Sequence, residues 1–154
     1  MTGTVQSRLA ALGIVLPAAG GPQANYIPTT TSGRLVFVSG QVSIAPEGER
    51  RIGKVGADLT IEEAREGARI AAINLLAVLK ATLGDLDRVA RILKLVGFVN
   101  CSPDFVEPHK VVNGASDLLV EVFGDRGRHA RSSIGVNSLP VGAAVEVEAV
   151  VEIA

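Results

Sequence analysis

Apolar residues recur at two spacings along this chain, and the switches between them lay out its elements. Val5, Leu9, Ala10 and Leu12 stand at helical spacing before Gly13, which predicts a short helix over about residues 5–12. Residues 17–22, rich in Gly, Ala and Pro, read as a linker. Period-two runs over residues 26–31 and 34–39 flank Ser32-Gly33 and predict a hairpin, with Leu35, Val36, Phe37 and Val38 in the more buried strand. Residues 45–57, punctuated by Pro46, Gly48, Gly53 and Gly56, read as an exposed loop in which Arg50, Arg51 and Lys54 are solvated.

Thr60-Ile61-Glu62-Glu63 has the form of a capping box, in which a hydroxyl and a carboxylate satisfy orphan amides at a helix start. It predicts a helix to about Leu83, with Ala64, Ala68, Ala71, Ala72, Leu75, Leu76 and Leu79 inward and Gly84 as the stop. Residues 88–100, dense in Val, Ile and Leu, predict a strand. Residues 105–123 return to helical spacing through Val111, Val112, Ala115, Leu118, Leu119 and Val122, with Asp104 as cap and Pro108 in the first turns. After Gly124-Asp125-Arg126-Gly127, two alternating runs flank Ser138-Leu139-Pro140-Val141-Gly142 and predict a terminal hairpin. Paired across that loop, Ile134, Val136, Val145, Val147, Ala149 and Val151 line one side. Arg131, Ser133, Asn137, Glu146 and Glu148 line the other, so that a guanidinium and a carboxylate share one surface. The element order implies an α+β sandwich: one mixed sheet with two helices packed on a single face, the other face wetted or covered by another subunit.

Composition adds bounds to this picture. The 154 residues suit one domain, with residues 1–22 as an N-terminal extension carrying the short helix. Hydrophobic residues make up 47% but aromatic ones only 3%, so the core is aliphatic, and the apolar excess favours a subunit that buries a face against a neighbour. Lys and Arg total 15 against 16 Asp and Glu, a net charge of -1 that gives no electrostatic footprint for nucleic acid. Arg126, Arg128, His129 and Arg131 form the one dense basic cluster, readable as a solvated turn or as a seat for one small anion. The single Cys101 permits no intrachain disulfide, and no leader-like or membrane-spanning run is present, so a soluble cytoplasmic protein is expected.

As candidate chemistry, Arg131 and Glu146 stand out, although polar residues on a half-buried strand ordinarily face water. Glu148 and Glu152 share the alternation with weaker claims. His109, His129 and Cys101 are too few and too scattered for a metal box, and Cys101 reads as a small buried residue. Ser39-Gly40-Gln41 lacks the repeated glycines and lysine of a phosphate loop. Tyr26 reads as a half-buried core ring or a site wall, and Asn113 as an exposed helix residue.

Taken together, several of these residues carry a resemblance. Tyr26 thirteen residues before Ser39-Gly40-Gln41, then Asn113, Ala130-Arg131-Ser132, Leu139-Pro140 and Glu146-Val147-Glu148-Ala149 occur in the order and near the spacing of the Rid family of reactive-intermediate deaminases. The chain from about Tyr26 to Val151 resembles that family, also called YjgF or endoribonuclease L-PSP-like. The resemblance implies a chorismate-mutase-like α+β fold, a homotrimer, and ligand clefts between neighbouring subunits. It puts Arg131 at the carboxylate-binding arginine, where a planar guanidinium can grip a carboxylate with two parallel hydrogen bonds. It puts Glu146 at the glutamate associated with the attacking water, Tyr26 and Ser39 at ligand-walling positions, and Asn113 at a further pocket position. It implies no metal and no organic cofactor. Ser133 stands where the family usually has a cysteine, and Gln23-Ala24-Asn25 replaces the common Gly-Pro lead-in to Tyr26, as in a longer sub-branch.

The expected activity is cofactor-independent hydrolysis of 2-imino acids or enamines to a 2-keto acid and ammonia, with a small carboxylate as substrate. The alternatives are a non-catalytic carboxylate-binding or chaperone-like module and, following the family label, an endoribonuclease. Near-neutral charge and the lack of a histidine pair for acid-base cleavage argue against the last.

Overall fold

The computed structural model describes residues 4–21 and 24–154. Residues 1–3 of the expected N-terminal extension, Pro22 at the end of the expected linker, and Gln23 lie outside the described residues. Among these residues three α-helices and five strands follow one another as α1 (Val5–Ala11), β1 (Thr29–Ser32), β2 (Leu35–Val42), α2 (Ile61–Leu83), β3 (Val89–Asn100), α3 (Pro108–Phe123), β4 (Ala130–Val136) and β5 (Val145–Ile153).

Local chemistry explains most of the boundaries. Thr4 caps α1 by accepting from the Ser7 amide. The capping box at α2 is complete, with Thr60 Oγ1 accepting from the Glu63 amide at 3.2 Å and Glu63 Oε2 accepting from the Thr60 amide at 2.8 Å. Gly84 closes α2 with φ 75°. The first hairpin turns one residue later than Ser32-Gly33 predicts. Ser32 pairs with Leu35 and Gly33, at φ 58°, holds the first central position, where the left-handed backbone suits glycine. Asp104 does not cap α3, which begins at Pro108 after Glu107. Pro108 fixes that start because its missing amide is one that a helix leaves unpaired anyway.

The sheet is mixed, with strand order β1-β2-β5-β3-β4. The predicted terminal hairpin does not form. β4 runs parallel to β3 at the sheet edge, Leu95 beside Arg131 and Phe98 beside Ile134, while β5 inserts antiparallel between β2 and β3. The physical reason lies in the two strands' composition. Val145, Val147 and Val151 are fully buried and Ala149 nearly so, which rewards a slot with a neighbour on each side. β4, with Arg131, Ser132, Ser133 and Gly135, suits an edge, and the α3 crossover after β3 brings it back in the parallel sense.

α2 packs on β2 and β5, α3 on β3 and β4, and the two helices lie against each other on the same face of the sheet. Leu75, Leu76, Leu79, Ile92, Leu95, Leu118, Leu119 and Phe123 fill the space between the layers. α1 docks on α3, where Arg8 Nη1 donates to the Val122 carbonyl at 3.3 Å. The opposite face of the sheet has no cover among the described residues: Phe37 and Ile134 are exposed, and Val96, Phe98 and Val150 are half-buried.

The segment over residues 45–57 is less solvated than its glycines predict. Val55 is fully buried and its amide donates to the Asn100 carbonyl at 2.9 Å. Lys54 Nζ donates to Asn100 Oδ1 at 2.8 Å and to the Asn137 carbonyl. A lysine that sequence pattern assigns to water therefore satisfies a buried amide. No helix among the described residues is long and apolar enough to cross a membrane.

Candidate functional site

The sequence-predicted site residues fall into two groups on opposite faces of the sheet. Leu95, Ala149 and Arg131 lie in one lateral row, so Arg131 points to the face covered by the helices. Glu146 alternates with the buried Val145 and Val147 and lies in a row with Phe98 and Ile134, which face away from the helices. The shared surface predicted for Arg131 and Glu146 is thus not formed within one chain. Insertion of β3 between β4 and β5 removes the cross-strand pairing that would have made it.

The first group gathers around Arg131. Its Nη1 donates to Asn113 Oδ1 at 2.8 Å and to Ser116 Oγ at 3.1 Å, and its Nη2 to the His109 carbonyl at 3.3 Å. All three acceptors come from α3, with Asn113 and Ser116 three residues apart and hence on one side of the helix. Ser116 Oγ in turn lies 2.9 Å from His129 Nε2, and His129 Nδ1 lies 2.6 Å from the Gly127 carbonyl. Burial, with Arg131 as a lesser cause, holds the His129 pKa below its ordinary value against the opposing pull of the Gly127 carbonyl. Among the described residues no carboxylate stands within ion-pair distance of Arg131. The guanidinium is oriented without being neutralised. Ser133, two residues along the same strand face and beside Gly97, has a buried hydroxyl with no hydrogen-bond partner.

The basic cluster around Arg131 does not act as one anion seat. Arg126 donates to the Val89 carbonyl at 2.7 Å and pairs with Asp87, and Arg128 pairs with Asp125 at 3.2 Å. Glu152 is likewise engaged, by Arg91 at 3.4 Å and Arg34 at 3.8 Å.

The second group lines a cavity of about 820 Å³ that contains Tyr26, Ser39, Gly40, Asn74, Pro140 and Glu146 in its wall. Gly40 sits at an irregularity in the β2–β5 pairing between Val38 and Gln41. A Cβ there would fall 1.8 Å from Glu146 Oε1, so the absence of a side chain is what lets the carboxyl lie against β2. Burial first, then the charge of Glu148, raises the Glu146 pKa above the ordinary carboxylate value. Tyr26 is 49% exposed, which makes it a wall of the cavity rather than a core ring.

Two participants escaped the reading of the sequence, and a third was read in another role. Ser116 belongs to the Arg131 network, for which its i, i+3 spacing from Asn113 was the signal, and His129, read as part of a basic cluster, joins that network through Ser116. Asn74 of α2 donates through Nδ2 to the carbonyls of Val42 and Ile44 at 3.0 and 2.9 Å, while its Oδ1 is buried without a partner. Its place in an apolar helical run hid it.

Comparison with known proteins gives these two groups a context. The model of a family described as "YjgF/chorismate mutase-like, putative endoribonuclease" matches residues 6–153. Protein TCP17 of Trypanosoma cruzi is 49% identical over 153 residues, 99% of this chain and 96% of that protein. The crystal structure of Atu1372 from Agrobacterium tumefaciens, a protein of unknown function, aligns with a TM-score of 0.91 at 46% identity, covering 97% of this chain and 92% of that one. An endoribonuclease-labelled structure from Shewanella oneidensis MR-1 aligns with a TM-score of 0.94 at 34% identity, covering 98% and 100%.

Proposed function

This chain belongs to the YjgF/chorismate mutase-like family, and from that premise we propose that it is a cofactor-independent deaminase, hydrolysing small 2-imino acids or their enamines to 2-keto acids and ammonia. The observation that carries the reading is the state of Arg131: held by Asn113, Ser116 and the His109 carbonyl, yet paired with no carboxylate among the described residues. A cation so placed has its charge available for a ligand carboxylate.

Within one chain Glu146 cannot reach a ligand held by Arg131, because a sheet separates them. The active assembly in this proposal is a homotrimer, in which the Arg131 group of one copy closes on the Glu146 cavity of the next. The uncovered apolar face of the sheet, with Phe37, Ile134, Val96, Phe98 and Val150, supports association with further copies, and the place of β4 at the sheet edge puts Arg131 on the strand nearest a neighbour.

The chemistry then runs through side chains alone. Arg131 fixes the substrate carboxylate, and Tyr26 and Ser39 wall the space beside it. Glu146, made more basic by burial, accepts a proton from water as the oxygen adds to the imine carbon, giving a carbinolamine. Return of that proton to the nitrogen completes the neutral carbinolamine; transfer of its hydroxyl proton to the nitrogen, again by way of Glu146, then breaks the carbon–nitrogen bond as the carbonyl forms, so one imine plus one water become one 2-keto acid plus one ammonia. Positioning supplies much of the advantage, since a polarised imine is already electrophilic.

The test is ammonia release from 2-imino acids generated in situ by an amino-acid oxidase. Arg131→Ala should lower it by roughly 100-fold, the worth of a lost charge-assisted carboxylate contact, with the oligomer intact. Unchanged turnover would overturn the reading. The endoribonuclease wording attached to relatives fits the site less well, because both ring nitrogens of His129 are already engaged. Purified protein should cleave RNA no faster than a mock preparation.

A further inference from the structure

We propose that His129, acting through Ser116, is a positioning residue for Arg131, so that the guanidinium is aimed by a relay of hydrogen bonds instead of by a counter-charge. The functional consequence rests on the carboxylate role given to Arg131 above; the relay itself is read from geometry.

The relay starts at the backbone. The Gly127 carbonyl can only accept, and it lies 2.6 Å from His129 Nδ1, so Nδ1 carries the ring proton. In the neutral ring Nε2 is then an acceptor, and the Ser116 hydroxyl, 2.9 Å away, donates to it. Donation in that direction turns the lone pairs of Ser116 Oγ toward Arg131, whose Nη1 donates at 3.1 Å. Nη1 spends its second hydrogen on Asn113 Oδ1 at 2.8 Å, and Nη2 spends one on the His109 carbonyl at 3.3 Å. Of the five guanidinium N–H groups, Nε–H and one on Nη2 remain for a ligand.

Protonation of His129 would break the sequence of donors. A charged ring donates from both nitrogens, so Ser116 loses its acceptor, and a second positive charge stands beside Arg131. Burial favours the neutral ring. The other charged groups on the surrounding segments are paired, Asp117 with Arg65, Glu121 with Arg69, Glu107 with Lys110 and Asp125 with Arg128, and Lys94 lies on the opposite face of the sheet in the row of Val150. His109, on α3, meets Arg131 through its carbonyl. Arg131 is accordingly the charge that bears on the His129 ring.

Nuclear magnetic resonance on the intact protein tests the relay without any ligand, by following the Arg131 Nε resonance and the His129 ring across pH. The Arg131 signal should inflect where His129 titrates, below the ordinary histidine range. That inflection should vanish in His129→Asn, fall to less than half its amplitude in Ser116→Ala although His129 still titrates, and return in Ser116→Thr. An Arg131 signal indifferent to His129, or one that shifts equally in Ser116→Ala through bare charge, overturns the proposal. Calorimetry with pyruvate as the probe carboxylate reads the consequence: Ser116→Ala should weaken binding roughly five- to tenfold, the worth of one hydrogen bond. Failure of pyruvate to bind the wild-type protein would count against the carboxylate role of Arg131, whereas the relay is decided by the resonance.

Discussion

Arg131 is tied to an amide where an acid would fit as well: its Nη1 donates to Asn113 Oδ1 at 2.8 Å. Asparagine orients the guanidinium and leaves its charge unspent. Asn113→Asp keeps the shape and adds a negative charge in contact with the fork, so a ligand carboxylate would compete with an internal one. The expected outcome is a KM for 2-imino acids raised by at least about tenfold, with kcat less affected. Steady-state kinetics on the purified variant check it, and an unchanged KM would remove Arg131 from substrate binding.

The contact between Gly40 and Glu146 gives a second prediction. A methyl group on residue 40 would occupy the space of the Glu146 carboxyl, with Oε1 at 1.8 Å and the carboxyl carbon at 2.7 Å. Gly40 has no positive φ, so alanine is compatible with the backbone, and the flexible carboxylate is what must move. Gly40→Ala should therefore lower kcat by about tenfold or more while changing stability by less than about 1 kcal/mol. Ammonia-release assays paired with urea denaturation separate these effects.

Glu146 also predicts a pH dependence of stability. Its folded pKa is raised above the ordinary value, chiefly by burial, so between the two values the folded state holds the extra proton. The stabilisation is present below the unfolded pKa and is lost as pH rises through the folded one. Glu146→Gln should then raise the thermal midpoint at neutral pH, and the gain should shrink to nothing below the normal carboxylate range. Scanning calorimetry from neutral to acid pH reads both parts. A variant less stable than wild type at neutral pH would show the carboxylate to be favourably paired.

The Lys54 contact separates a structural lysine from its solvated neighbours. Asn100 is 5% exposed, and its Oδ1 accepts from Lys54 Nζ at 2.8 Å. Lys54→Met would strand a buried acceptor, at a cost of about 2 kcal/mol. Arg50→Met should stay within about 0.5 kcal/mol. Chemical denaturation at one protein concentration compares them, and equal effects would mean that Lys54 contributes only surface charge.

Reading the sequence recovered what local chemistry decides. The Thr60–Glu63 capping box and Gly84 mark the limits of α2 because each satisfies particular backbone groups within a few residues, whereas the start of α3 falls at Pro108, three residues after the one the pattern predicts. The inward runs of α2 and α3 follow from a period of 3.6 and were legible as such. Lys54 was misread because the acceptor that holds it, Asn100, is 46 residues away. The partition of Arg131 from Glu146 was misread for a related reason: alternation tells which residues share a face of one strand, not which strand lies next to it.

The chain's own order of residues thus determined the elements, the single mixed-sheet layer with helices on one face, and the residue types able to hold a carboxylate and activate water. Those follow from short-range periodicity and side-chain chemistry. Only the tertiary structure decided that β3 would lie between β4 and β5, that α3 would supply every acceptor around Arg131, and that Gly40 would make room for Glu146. Strand neighbours are chosen by how the whole apolar surface is buried at once, and that sum is not written in any one stretch of the sequence.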